Sequence, residues 1–84
     1  MQKEQHVEIK VLGSGCAKCN QLEEATKQAV ALAGIDAQVE KVTDVVQIMG
    51  YGVMTTPALV VDGQVRVAGR VPSVEDIAAL LTRE

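Results

Sequence analysis

Between a run with strand periodicity and a run with helix periodicity lies Gly13-Ser14-Gly15-Cys16-Ala17-Lys18-Cys19, which holds both of the chain's cysteines. Upstream, Val7, Ile9 and Val11 alternate with Glu8 and Lys10 and lead into Leu12, the pattern of a strand with at least one buried face. Gly13 and Gly15 break that strand, because they accept backbone conformations that a Cβ resists. Downstream, the spacing predicts a helix from about Cys16 to Ala33. Its inner face carries Leu22, Ala25, Thr26, Ala29, Leu32 and Ala33, and Gly34 stops it. Glu23, Glu24, Lys27 and Gln28 fall on the solvated face, with Glu23 four residues before Lys27.

The remaining segments complete one sheet. Ile35, Ala37 and Val39 alternate with Asp36, Gln38 and Glu40, as in a half-exposed edge strand. A strand, a long helix and a second strand with short joints make a right-handed βαβ unit with parallel strands. Thr43 is placed to cap a short helix, roughly Asp44 to Met49, burying Val45, Ile48 and Met49 and stopping at Gly50. After Pro57, Ala58-Leu59-Val60-Val61 is continuously apolar, which suits a central strand buried on both faces. Asp62-Gly63 signals a two-residue hairpin into an alternating edge strand, Gln64-Val65-Arg66-Val67. Ser73-Val74-Glu75-Asp76 reads as the capped start of a last helix with Val74, Ile77, Ala78 and Leu81 inward. The expected fold is α/β, in the order βαβαββα, with a mixed four-stranded sheet covered by three helices. At 84 residues the chain forms a single domain, residues 1–84, since a chain of this size supports one core.

That core must be aliphatic: Trp and Phe are absent and Tyr51 is the one aromatic residue. Stacking on nucleic-acid bases is thereby excluded. A net charge of -3 with interspersed signs offers neither a stripe for a phosphate backbone nor a patch for a membrane. The opening Met1 to His6 is polar, so no signal peptide is expected and the expected location is the cytoplasm. A monomer is expected.

Cysteines three positions apart close too small a loop to matter much for stability, about 2 kcal/mol by chain entropy. In a reducing compartment such a pair serves chemistry or metal binding. One helical turn between i and i+3 brings two sulfurs within bonding reach. At the first turn of a helix, Cys16 meets unpaired N–H groups and the positive dipole end, which favour its thiolate, and Lys18 adds to this. Cys19 falls near the apolar stripe, so Cys16 is expected to attack and Cys19 to resolve.

With these features the chain resembles the thioredoxin/glutaredoxin superfamily, and most closely its small thioredoxin-like redox-active disulfide proteins of prokaryotes. The resemblance spans nearly the whole chain. It rests on Gly15-Cys16-Ala17-Lys18-Cys19, Thr55-Thr56-Pro57-Ala58-Leu59, the Asp62-Gly63 hairpin and Ala68-Gly69. It implies a thioredoxin-like fold and a protein-disulfide oxidoreductase or electron carrier with no cofactor beyond a redox-active Cys16–Cys19 disulfide. Pro57 would be cis and sit against that disulfide, the Thr56 backbone would pair with an extended client chain, and Gly69 would join the same binding surface. Disulfide-containing proteins would be the clients, and a reductase of the thioredoxin reductase type the electron donor. Thioredoxins resemble one another in an aromatic residue before the first cysteine and Gly-Pro between the two; here stand Gly15 and Ala17-Lys18. Lys10 replaces the buried acid that thioredoxins place upstream, so Lys10 and Lys18 become the candidates for tuning the thiol pKa. The basic and aromatic residues by which glutaredoxins hold glutathione are missing, which favours protein disulfides as substrates.

Two other functional readings fit the cysteines. Gly13-x-x-Cys16-x-x-Cys19 after a first strand also looks like the loop of heavy-metal-associated domains, which makes a module binding a soft metal ion or arsenite the main alternative. Those domains carry Met where this chain has Ser14, and their order is βαββαβ. His6 is the only further soft ligand, too few for a closed zinc site. A redox-sensing interaction domain is the third reading. Tyr51 and Met54 either pack the loop or form an apolar rim beside Cys16.

Overall fold

The computed structural model describes residues 6–13, 17–53 and 55–82. Its elements run β1 (His6–Leu12), α1 (Ala17–Ala33), β2 (Asp36–Val42), α2 (Val45–Gly50), β3 (Ala58–Val61), β4 (Gln64–Ala68) and α3 (Val74–Thr82). This is the expected order. The strands form one mixed sheet in the order β2-β1-β3-β4. β1 lies parallel to β2 and antiparallel to β3, and β3 is antiparallel to β4.

Because successive strand residues point to opposite faces, β1 and β3 each feed two cores. Ile9, Val11, Leu59 and Val61 meet Leu22 and Ala29 of α1 and Ile77 and Leu81 of α3. Leu12, Ala58 and Val60 meet Ile48 of α2, with Val42 and Val53. The sheet is thus covered by α1 and α3 on one side and by α2 on the other. β3 is buried at every position, as its unbroken apolar run requires.

Local chemistry sets the joints. At Gly34, φ is 68° and the N–H donates to Val30 O at 3.0 Å, closing α1 where a Cβ would be strained. Asp62 and Gly63 have φ of 50° and 83°, the pair of left-handed residues that a tight hairpin demands. The Asp62 carboxylate also accepts from Glu8 N at 3.0 Å, while Asp62 N donates to Glu8 O at 2.8 Å, tying the hairpin to β1. Ser73 Oγ accepts from Asp76 N at 3.1 Å, capping α3 as read from the sequence.

Several expectations need correction. The cap of α2 is Asp44, whose carboxylate accepts from Val46 N at 2.9 Å, and not Thr43; Gly50 belongs to the helix instead of following it. Of α2's apolar residues only Ile48 is buried, since a six-residue helix offers the core little more than one turn. Val45 and Met49 are 61% and 66% exposed. On α1, Leu32 is 61% exposed, while Val30 of the same turn packs against the core, so the covered face runs through Val30 and leaves Leu32 outside it. In β4 a register shift opposite Leu59 and Val60 places Val67 in the α1/α3 core but leaves Val65 at the surface, interrupting the expected alternation. Tyr51 packs against the α2-side core.

Candidate active site

Four segments converge beyond the end of β1: the start of α1, the end of β2, the turn entering β3 and the end of β4. Cys19 is fully buried on the first turns of α1 and is disulfide-bonded. Cys16, the chain's other cysteine, lies outside the described residues, as do Ser14, Gly15, Met54 and the side chain of His6. Leu22, Thr26 and Ala29 continue the buried stripe from Cys19 along α1. Thr26 is the only buried polar residue among those described, and its hydroxyl donates to Leu22 O at 2.7 Å. No described carboxylate is buried beside Cys19.

Gly13 forms the opposite wall. A Cβ built there would lie 3.0 Å from Cys19 Cβ, well inside contact distance of Cys19 Sγ, and 3.8 Å from Thr56 Cβ. The glycine thus brings the cysteine and the Thr56 segment against one stretch of backbone. Its N–H donates to Val42 O at 3.0 Å, which fixes the end of β1 to β2.

The Thr56–Pro57 peptide bond is cis, with Pro57 buried and Thr56 exposed. Pro57 O accepts from Gly69 N at 2.8 Å, so the turn entering β3 and the end of β4 are joined at this point. Gly69 has φ 81°, and a Cβ there would meet Thr55 Oγ1 at 3.0 Å. Cys19, Thr56, Pro57 and Gly69 are therefore gathered at one end of the sheet.

The two candidate lysines differ in position. Lys10 alternates with Ile9 and Val11, so it projects from the sheet face opposite α1, and its Nζ pairs with Glu40 Oε1 at 3.7 Å. Lys18 is exposed on the first turn of α1. A third lysine, which the sequence did not single out, is joined to this turn. Lys41 Nζ donates to Asn20 Oδ1 at 3.2 Å and pairs with Glu23 Oε1 at 3.2 Å, while Lys27 Nζ pairs with Glu23 Oε2 at 3.3 Å. The hydrogen bond from Lys41 holds the Glu23 carboxyl below the usual glutamate range; partial desolvation opposes it, and Lys27 reinforces it. Only the Glu23–Lys27 spacing was visible as an i, i+4 pair. Lys41 is brought in by the parallel pairing of β2 with β1, which local sequence does not encode.

A thioredoxin-domain family profile matches residues 7–82. The chain belongs to the thioredoxin family. It is 41% identical over 76 residues to a thioredoxin of Methanothermobacter thermautotrophicus, covering 90% of this chain and 99% of that protein. To a thioredoxin of Methanocaldococcus jannaschii it is 46% identical over 71 residues, covering 84% of this chain and 81% of that protein. As a thioredoxin-family protein it is a thiol–disulfide oxidoreductase. No helix among the described residues is long and apolar enough to cross a membrane.

Proposed function

We propose that this thioredoxin-family protein exchanges disulfides with other proteins through a Cys16–Cys19 dithiol/disulfide pair, Cys16 attacking and Cys19 resolving. The observation that carries the assignment is that Cys19 is both disulfide-bonded and fully buried. A buried sulfur is screened from a client, so contact with the client's disulfide falls to the other cysteine. In the reductive direction the Cys16 thiolate attacks a client sulfur, giving a Cys16–client mixed disulfide and releasing the client's other sulfur as a thiolate. Cys19 then attacks Cys16 Sγ. The Cys16–Cys19 bond forms, the bond to the client breaks, and the client leaves as a dithiol with the two electrons the pair has lost.

Exposed Thr56 beside buried Pro57 supports an edge on which an extended client segment pairs, with Gly69 flanking it. A proline has no N–H to compete for the adjacent sulfur. The protein acts as a cytoplasmic monomer, needs no cofactor beyond its thiols, and receives electrons from a reductase of the thioredoxin reductase type. Lys18, being exposed, acts on the Cys16 thiolate only through a solvent-screened charge. Lys10 is engaged with Glu40 and contributes less.

Insulin reduction tests the assignment, followed by thiol alkylation because the chain has no Trp. Cys16→Ser is expected to abolish turnover. Cys19→Ser is expected to accumulate mixed disulfides with clients. Equal trapping by both variants would defeat the division of roles.

A further inference from the structure

We propose that Gly13 is a positioning residue for the resolving sulfur: its missing side chain is the space that Cys19 Sγ occupies when the disulfide is closed. The inference rests on the reading of Cys16 and Cys19 as the redox pair.

Gly13 shares a positive φ with the chain's other conformational glycines and adds a sulfur contact that Gly34, Gly52 and Gly63 lack. Gly34, Gly52 and Gly63 have positive φ, yet a Cβ on any of them meets nothing within 4 Å. At Gly13, φ is 155° and a Cβ collides with the sulfur and approaches the β-carbon of Cys19 to 3.0 Å. Neither side of this contact can withdraw easily. Gly13 is held by its N–H to Val42 O, and the residue before it, Leu12, is fully buried and paired with both β2 and β3. Across the gap, Cys19 is enclosed on α1, and the next residues of that helix, Asn20 and Glu23, are gripped by Lys41. Lys41 and Val42 are consecutive on β2, so one strand end holds both flanks of the redox loop. The room between the flanks matches a glycine backbone against a sulfur, with no allowance for a methyl group.

Resolution requires the Cys19 thiolate to reach Cys16 Sγ, form the new S–S bond and expel the client thiolate. A Cβ at position 13 intrudes on the sulfur in the position that the closed disulfide imposes. In the dithiol no S–S bond fixes the Cys19 side-chain torsion, so the sulfur can take a rotamer that the closed disulfide forbids. The oxidised form is therefore penalised more than the reduced form, which raises the reduction potential and slows resolution. Tight core packing makes such an intrusion costly.

The test compares Gly13→Ala with Gly34→Ala, which carries backbone strain without the sulfur contact. Dithiol titration read by alkylation is expected to show Gly13→Ala displaced towards the dithiol at least tenfold, about 30 mV for a two-electron couple. Breakdown of its mixed disulfide with 5-thio-2-nitrobenzoate should slow at least tenfold. Gly34→Ala should match the unsubstituted protein in both. An unchanged potential and resolution rate for Gly13→Ala would overturn the inference.

A stability cycle covers poor folding: the penalty of Gly13→Ala should be smaller in a Cys19→Ala background, where the sulfur is gone. Equal penalties, or failure to fold in both backgrounds, would also overturn it. Failure of the unsubstituted protein to reduce insulin would defeat the proposed function instead, leaving potential and cycle as independent readouts of the packing.

Discussion

Leu22 and Leu32 occupy the same predicted face of α1, but the structure buries the first completely and leaves the second 61% exposed. Leu22→Ala removes three carbons from contact with the α1/α3-side core; at about 0.8 kcal/mol each, the transfer cost is about 2.4 kcal/mol. Incomplete collapse of the cavity raises this towards about 5 kcal/mol. An 84-residue domain has roughly 4–13 kcal/mol to lose. The transfer cost alone should lower Tm by roughly 10–20 °C, at about 4–8 °C per kcal/mol. Leu32→Ala should stay within about 0.5 kcal/mol of the unsubstituted protein. Urea denaturation followed by far-ultraviolet circular dichroism, under oxidising conditions so that the disulfide is constant, measures both. Comparable losses for the two variants would refute the placement of Leu32 outside the covered face of α1.

Glu23→Gln should cost up to about 1 kcal/mol at neutral pH, the range of surface ion pairs, because it releases Lys41 and Lys27. The folded-state pKa of Glu23 is lowered, so its contribution is present above the unfolded value and fades as pH falls through the folded one. The difference between the two proteins should therefore vanish in acid, and a difference that grows there would refute the pairing. Asp62→Ala should destabilise the domain by about 1–2 kcal/mol, through a left-handed alanine and the lost carboxylate bond to Glu8 N. Asp62→Asn, which tolerates that backbone and still presents an acceptor oxygen, should cost less than half as much in the same denaturation assay.

Much of this architecture was legible because it is written in short-range chemistry. The unbroken run Ala58 to Val61 can satisfy its apolar side chains only at the centre of a sheet, and that is where it lies. Asp62-Gly63 and Gly34 declare their turns through backbone preference, and Ser73 declares its helix through a side-chain acceptor. What escaped depends on partners far along the chain. Whether Val45, Met49 or Leu32 is covered depends on which distant elements pack against them, which periodicity does not contain. The β4 irregularity arises from its pairing with β3, and the Lys41 clasp from a parallel register set across the whole βαβ unit. Asp44 displaced Thr43 as a cap because neighbouring residues with equivalent cap chemistry are separated only by where the helix begins. At the site, the cysteine spacing announced the thiol–disulfide chemistry, and Thr56-Pro57 announced the turn that enters β3 beside Cys19. The contact between Gly13 and Cys19 was invisible, since a glycine's signature in sequence is the same whether it serves a turn or a neighbour's sulfur.

The place of β1 between β2 and β3 also carries a consequence for biosynthesis. The strand that leads into the cysteine loop is made early, but one of its two neighbours is translated only after α2, and the glycine beside Pro57 later still. At about 5–20 residues per second, the ribosome exposes the cysteines for seconds before the segments that enclose Cys19 exist. During that interval the thiols belong to an open chain, and any oxidant or metal meets them without the discrimination of the folded site. A nascent chain arrested before β3 should accordingly be alkylated at both cysteines alike, whereas release of the finished chain should withdraw Cys19 from the reagent.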